Sequence, residues 1–131
     1  MAPTVEQVVM PPFRENSGWR RRLMRRYGHW LDLFYDIEVQ NGWQAIVTEM
    51  MDEIAWILRR EPGTADFRIT RLYEADGMLA VDVLNLPPVI EGEVRRVIEK
   101  AQERSRKTCE VCGELRGNHA ADGVGTACLT F

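Results

Sequence analysis

Trp43-Gln44-Ala45-Ile46-Val47-Thr48-Glu49-Met50-Met51-Asp52-Glu53-Ile54-Ala55-Trp56-Ile57-Leu58 is the stretch that decides the fold. Trp43, Ile46, Val47, Met50, Ile54, Ile57 and Leu58 recur at three- and four-residue intervals, which lines them along one face of an α-helix. Glu49, Asp52 and Glu53 lie off that stripe, and Glu61-Pro62-Gly63 stops the pattern. An amphipathic helix has to cover its apolar face, so the segments on either side are its prospective partners.

Upstream, Asn41-Gly42 turns the chain, and residues 35–39 alternate Tyr35, Ile37 and Val39 against Asp36 and Glu38, a short strand signal. Before that, Trp19, Leu23, Tyr27 and Trp30 fall on one face of a first helix. Arg21, Arg22 and Arg25 fall opposite, with Arg20 and Arg26 on the flanks. Asn16 or Ser17 can cap this helix, because either side-chain oxygen can accept a bond from an N–H of the first turn. Gly28 is placed to end it. Residues 1–13, punctuated by Pro3, Pro11 and Pro12, read as a flexible N-terminal arm.

Downstream, Phe67 and Ile69 alternate with Arg68 and Thr70, Asp76-Gly77 supplies a tight turn, and Met78 to Leu86 is rich in β-formers. These predict a hairpin. After Pro87-Pro88, the residues Ile90, Val94, Val97, Ile98 and Ala101 form the buried stripe of a last helix, with Arg95, Arg96, Glu99, Lys100 and Glu103 solvated. The expected fold class is α+β, a small antiparallel sheet (the hairpin plus the short strand) packed with two to three helices. The expected organisation is an arm over 1–13, an α+β body over 14–108 and a Cys/His tail over 109–131.

Composition narrows the function. The apolar fraction of 45% and charged fraction of 28% in 131 residues suit one globular domain with a real core. The net charge of −3 argues against a general nucleic-acid coat protein, but the average hides an asymmetry. Residues 14–28 carry six arginines against one glutamate, while residues 29–58 carry six acids and no Lys or Arg. The longest apolar run, Leu79 to Leu86, is broken by Asp82 and Asn85, so no bilayer span is expected. The N-terminus lacks the basic-then-apolar order of a signal peptide, which points to the cytoplasm.

In that compartment, cysteines at short spacing usually do metal or redox work. Cys109-Glu110-Val111-Cys112-Gly113 can bend around one ion, with both sulfurs about 2.3 Å from zinc. A closed structural zinc site needs four ligands, and the tail offers His119 and Cys128, giving C-x2-C-x6-H-x8-C. A redox pair is disfavoured, because Cys109 follows a long helix instead of opening one; unliganded thiols are the plain alternative.

The stretch Ala101-Gln102-Glu103-Arg104-Ser105-Arg106-Lys107-Thr108-Cys109-Glu110-Val111-Cys112-Gly113 resembles the close of a group of small uncharacterised proteins from bacterial and phage genomes. Arg26-Tyr27, Leu33-Phe34, Gly42-Trp43 and residues 67–83 resemble further pieces of that group, so the likeness spans roughly residues 23–131. Its members close with Cys-x-x-His. Here Cys128-Leu129-Thr130-Phe131 ends in Phe instead, which raises the value of His119 as a ligand. The resemblance implies a metal-stabilised tail and a phage setting, and it implies no activity.

The arginine helix admits two readings. Arg20, Arg21, Arg22, Arg25 and Arg26 form a face that suits phosphates or carboxylates, with Trp19 and Tyr27 beside it for stacking on bases. Alternatively it is a solvated face neutralised by the acids of residues 29–58. Catalytic signals are sparse: His29 and His119 are the two histidines, and Asp32, Asp36 and Glu38 match no metal spacing. The expectation is a non-catalytic binding protein with a structural zinc site, acting through a protein partner, with a phage-encoded inhibitor of a host complex as its sharpest form. The alternatives are direct DNA or RNA binding by the arginine helix, and a metal-dependent hydrolase using an open zinc position with Glu110 or Glu114 as base.

Overall fold

The apolar stripe that begins at Trp43 becomes the spine of the core. In the computed structural model, which describes residues 18–33 and 36–116, α1 spans Gly18–Tyr27. A 3-10 turn over Asn41–Trp43 leads into α2, Gln44–Arg60. Strands β1 (Arg68–Ala75) and β2 (Met78–Leu84) follow, and α3 spans Pro88–Arg106. Among the described residues this is an α+β arrangement of three α-helices and a two-stranded antiparallel sheet. No helix among the described residues is long and apolar enough to cross a membrane.

Every residue of the α2 stripe is buried, and Met51 and Ala55 widen it. Trp19, Leu23 and Tyr27 of α1 cover one flank, while Ile90, Val94, Ile98 and Ala101 of α3 cover the other. Val97, expected in the α3 stripe, is half-buried at its edge. Phe67, Ile69, Leu72 and Leu79 bring the hairpin into the same core. At roughly 25 cal/mol per Å² of apolar surface, burying each such side chain contributes about 2 kcal/mol before chain entropy is subtracted.

The hairpin turns where Asp76-Gly77 predicts it. Both residues take positive φ, 56° and 79°, as a type I′ turn requires. Strict alternation fails within β1, however. The register slips between Ile69 and Arg71, so Thr70 is an extra residue. That bulge shifts the phase and lets Ile69 and Leu72, three residues apart, both face the core.

The expected short strand at 35–39 is reduced to isolated pairing. Ile37 and Val39 are buried, as the alternation demands, and Tyr35 lies outside the described residues. The chain runs parallel to β1, not antiparallel, and touches it by single bridges, Leu31 to Ile69 and Glu38 to Tyr73. The Glu38 N–H donates to the Leu72 carbonyl at 2.9 Å, and Arg71 clasps the Glu38 carboxylate at 2.9 and 3.0 Å. These bonds occupy the outer edge of β1 without adding a full strand.

The end of α3 is fastened to the sheet by Ser105, which is fully buried. Its hydroxyl accepts the Leu79 N–H at 2.8 Å and donates to the Gln102 carbonyl at 2.6 Å. The Gln102 amide donates to the Leu79 carbonyl at 3.1 Å, so β2 is gripped at both backbone groups of one residue. This fixes the direction in which the cysteine segment leaves the helix. The arm over 1–13 and the caps Asn16 and Ser17 lie outside the described residues.

Candidate metal centre and arginine face

Beyond α3 the backbone folds back on itself. The Arg116 N–H donates to the Lys107 carbonyl and the Cys109 N–H to the Glu114 carbonyl, both at 2.7 Å. The Gly113 N–H closes the tip on the Cys109 carbonyl at 2.9 Å. Gly113 holds φ 82°, a conformation that costs glycine little and other residues much. Cys109 and Cys112 therefore stand on one tight turn, Cys109 buried and Cys112 exposed. Such a turn can present two sulfurs to one tetrahedral ion and supplies half of a zinc ligand set. Among the described residues no group of three or more His, Cys, Asp or Glu side chains can hold a metal. The other two expected ligands, His119 and Cys128, lie outside the described residues.

The turn is seated on the start of α2. The Gly42 N–H donates to the Glu110 carbonyl at 2.6 Å, and Trp43 Nε1 donates to the Thr108 carbonyl at 2.9 Å. A side chain on Gly42 would collide with the backbone carbonyls of Cys109 and Glu110. Only a glycine lets the two backbones approach this closely. Glu110 Oε2 accepts the Gln40 N–H at 3.1 Å. Burial pushes the Glu110 carboxyl above its usual range, and the Gln40 bond partly offsets that. Its carboxylate thus serves a backbone group.

Asn41 extends the junction to α1. Its Oδ1 accepts Trp19 Nε1 at 2.8 Å and Arg20 Nη1 at 3.0 Å, while Arg20 Nη2 donates to the Val39 carbonyl. This corrects the expectation for Arg20, which is 1% exposed and cannot belong to a partner face. At 100° per residue it sits about 20° around the helix from Tyr27, so the 39–41 segment packing on that flank encloses it.

Arg21, Arg22, Arg25 and Arg26 are exposed as expected. Arg26 pairs with Asp52 at 3.4 Å, and the Tyr27 hydroxyl donates to the same carboxylate. The remaining acids of α2 turn the other way. Glu49 pairs with Arg104 and Glu53 with Lys100, both on α3. Among the described residues no carboxylate pairs with Arg22 or Arg25. Trp19 and Tyr27 are 3% exposed, which leaves their rings closed to stacking on a base.

A shallow groove beside Arg22 and Arg25 is floored by Gln44 and Thr48 of α2. The same two residues line a second groove that reaches Cys112 and Gly113. The arginine ridge and the cysteine turn, read separately in the sequence, therefore border adjoining grooves that share Gln44 and Thr48.

His29 is exposed, its ring centroid 4.0 Å from that of Trp30. Asp36 accepts the Ile37 N–H at 2.8 Å and Glu38 is held by Arg71, so these two carboxylates of the acidic run are occupied with backbone and a cation, while Asp32 is exposed. Trp56 was missed as a surface feature. It is 63% exposed beneath the Arg60 guanidinium, 3.9 Å from the ring centroid, and borders an apolar groove between α2 and α3. Its signal was present, since a large apolar residue off the helical stripe has no core to enter. Compared with models of protein families, with curated proteins and with solved structures, the chain matches none.

Proposed function

We propose that the chain is a non-catalytic binding protein whose Cys109–Cys112 turn is half of a structural zinc site and whose exposed arginines contact a protein partner. The observation that carries this reading is the construction of the turn. Its backbone is hydrogen-bonded internally and docked on Gly42, which supports a reading in which a metal locks a turn already formed. Two further ligands would close the zinc site, with His119 and Cys128 as candidates. The likeness of residues 101–113 to bacterial and phage proteins is consistent with an inhibitor that docks on a host defence or nucleic-acid-handling complex in the cytoplasm. The hydrolase reading is weakened because Glu110 is committed to the Gln40 amide.

Elemental analysis of the purified chain tests the zinc half. The expected result is one zinc per chain, lost in Cys109→Ser and weakened in His119→Ala. Metal-free protein sinks the structural zinc site. Zinc fully retained in His119→Ala removes that residue from the ligand set.

A further inference from the structure

We infer that the two adjoining grooves, one beside Arg22 and Arg25 and one reaching Cys112 and Gly113, with Gln44 and Thr48 common to both, together receive an acidic segment of a protein partner; this deepens, and rests on, the binding-protein reading above. Charge complementarity names the occupant. Arg22 and Arg25 stand three residues apart on α1, which puts their side chains on one ridge about 5–6 Å apart. Each presents a planar fork suited to a carboxylate, and Glu49 and Glu53 of α2 are paired with α3 instead. Gln44 and Thr48, one helical turn apart on α2, give the groove an uncharged hydrogen-bonding floor.

The far end differs in two ways. Gly42, Ala45 and Gly113 line it, so a visiting backbone meets little side-chain bulk. Glu49 also lines it, its carboxylate paired with Arg104 of α3, so among the described lining residues the cations stand at the other end. An occupant with carboxylates at one end and neutral or basic residues at the other fits this gradient. A uniform polyanion does not, because its charge continues past the two arginines to lining residues that carry no cation, and the Trp19 ring beside the arginines is buried. A short acidic protein segment therefore fits better than a nucleic acid.

The test is fluorescence anisotropy on the full chain with a labelled oligoglutamate peptide and, in parallel, a labelled oligothymidylate of equal charge. The peptide is expected to bind with salt-sensitive affinity that falls at least about tenfold in Arg22→Glu/Arg25→Glu. Thr48→Trp, which fills the part common to both grooves, is expected to weaken binding as well, with zinc content unchanged. Lys100→Gln/Arg104→Gln, on the far side of α2, is expected to bind as the unsubstituted chain does. The inference is overturned if the peptide does not bind, if its binding survives Arg22→Glu/Arg25→Glu, or if the oligothymidylate binds more tightly. Zinc analysis of the same samples separates the two ideas, since an unsubstituted chain that holds one zinc and does not bind the peptide condemns the groove alone.

Discussion

The basic residues of α1 and α3 sit on helices that flank the same central helix, yet their charges meet opposite fates. On α3 nearly every cation has a carboxylate within reach: Arg95 with Glu91, Lys100 with Glu53, Arg104 with Glu49, Arg106 and Lys107 with Glu103. On α1, among the described residues, Asp52 of α2 goes to Arg26 and Tyr27, and no carboxylate pairs with Arg22 or Arg25. The acidic stretch at 29–58 has the composition to neutralise the arginine helix, but most of its α2 carboxylates face the other neighbour. Composition alone cannot foresee this, because it does not say which flank of α2 each helix will occupy. Within α1 a second division appears, between buried Arg20 and its exposed neighbours.

These contrasts can be broken by substitution, and the expected effects fall in a clear order. Arg20→Ala is expected to cost about 3 kcal/mol, since it opens a cavity and strips the Val39 carbonyl and Asn41 Oδ1 of a buried donor. Urea denaturation measures it, and a loss no larger than that of Arg22→Ala would erase the distinction between the two arginines. Gly42→Ala is expected to cost about 2 kcal/mol by forcing the α2 start away from the cysteine turn, with weaker zinc retention as a second readout.

Tyr27→Phe probes the one α2 carboxylate that serves α1, and about 1 kcal/mol is expected at neutral pH from the lost bond to Asp52. Burial, then the bond to Asp52, raises the Tyr27 hydroxyl above its ordinary value. A raised folded-state value means this stability is complete below the unfolded value of about 10 and is lost as pH rises through the folded one. The gap between the two proteins should therefore narrow in denaturation series above about pH 10; a constant gap would contradict the assignment. Lys100→Gln/Arg104→Gln is expected to cost up to about 1 kcal/mol at low salt and less in molar salt. Smallest of all, Arg22→Glu/Arg25→Glu should leave the urea midpoint within about 0.5 kcal/mol of the parent. A large loss there would show that the ridge holds the fold together and would count against its use as a contact surface.

The parts of this architecture that follow from rotation about one axis were legible in advance. The α2 stripe from Trp43 to Leu58 is buried residue for residue, and Asp76-Gly77 turns the hairpin with the φ values its chemistry favours. The Cys109–Gly113 spacing likewise foretold a tight turn. What escaped depends on neighbours distant in sequence. Nothing in the alternation of Phe67 and Ile69 announces the bulge at Thr70, because only the facing register of Val83 and Asp82 defines it. Arg20 is polar by type and buried by circumstance. Gly42 reads as half of a turn, whereas its missing side chain matters to residues nearly seventy positions away. The adjoining grooves beside the arginines and the cysteine turn needed α1, α2 and the turn placed together.

The Asn41-Gly42 junction bears on how the protein ages. Asn-Gly pairs are the dipeptides most prone to spontaneous deamidation, in which the glycine nitrogen attacks the asparagine side-chain carbonyl. Here that nitrogen is bound to the Glu110 carbonyl, and the Asn41 oxygen is pinned by Trp19 and Arg20. The attacking geometry is reachable only after the cysteine turn lifts away, so the seat of the turn doubles as a chemical safety catch. Peptide mapping after prolonged incubation should find Asn41 intact in the parent chain and converted to aspartate or isoaspartate in Cys109→Ser. Equal rates in both would mean that the junction opens independently of its cysteines.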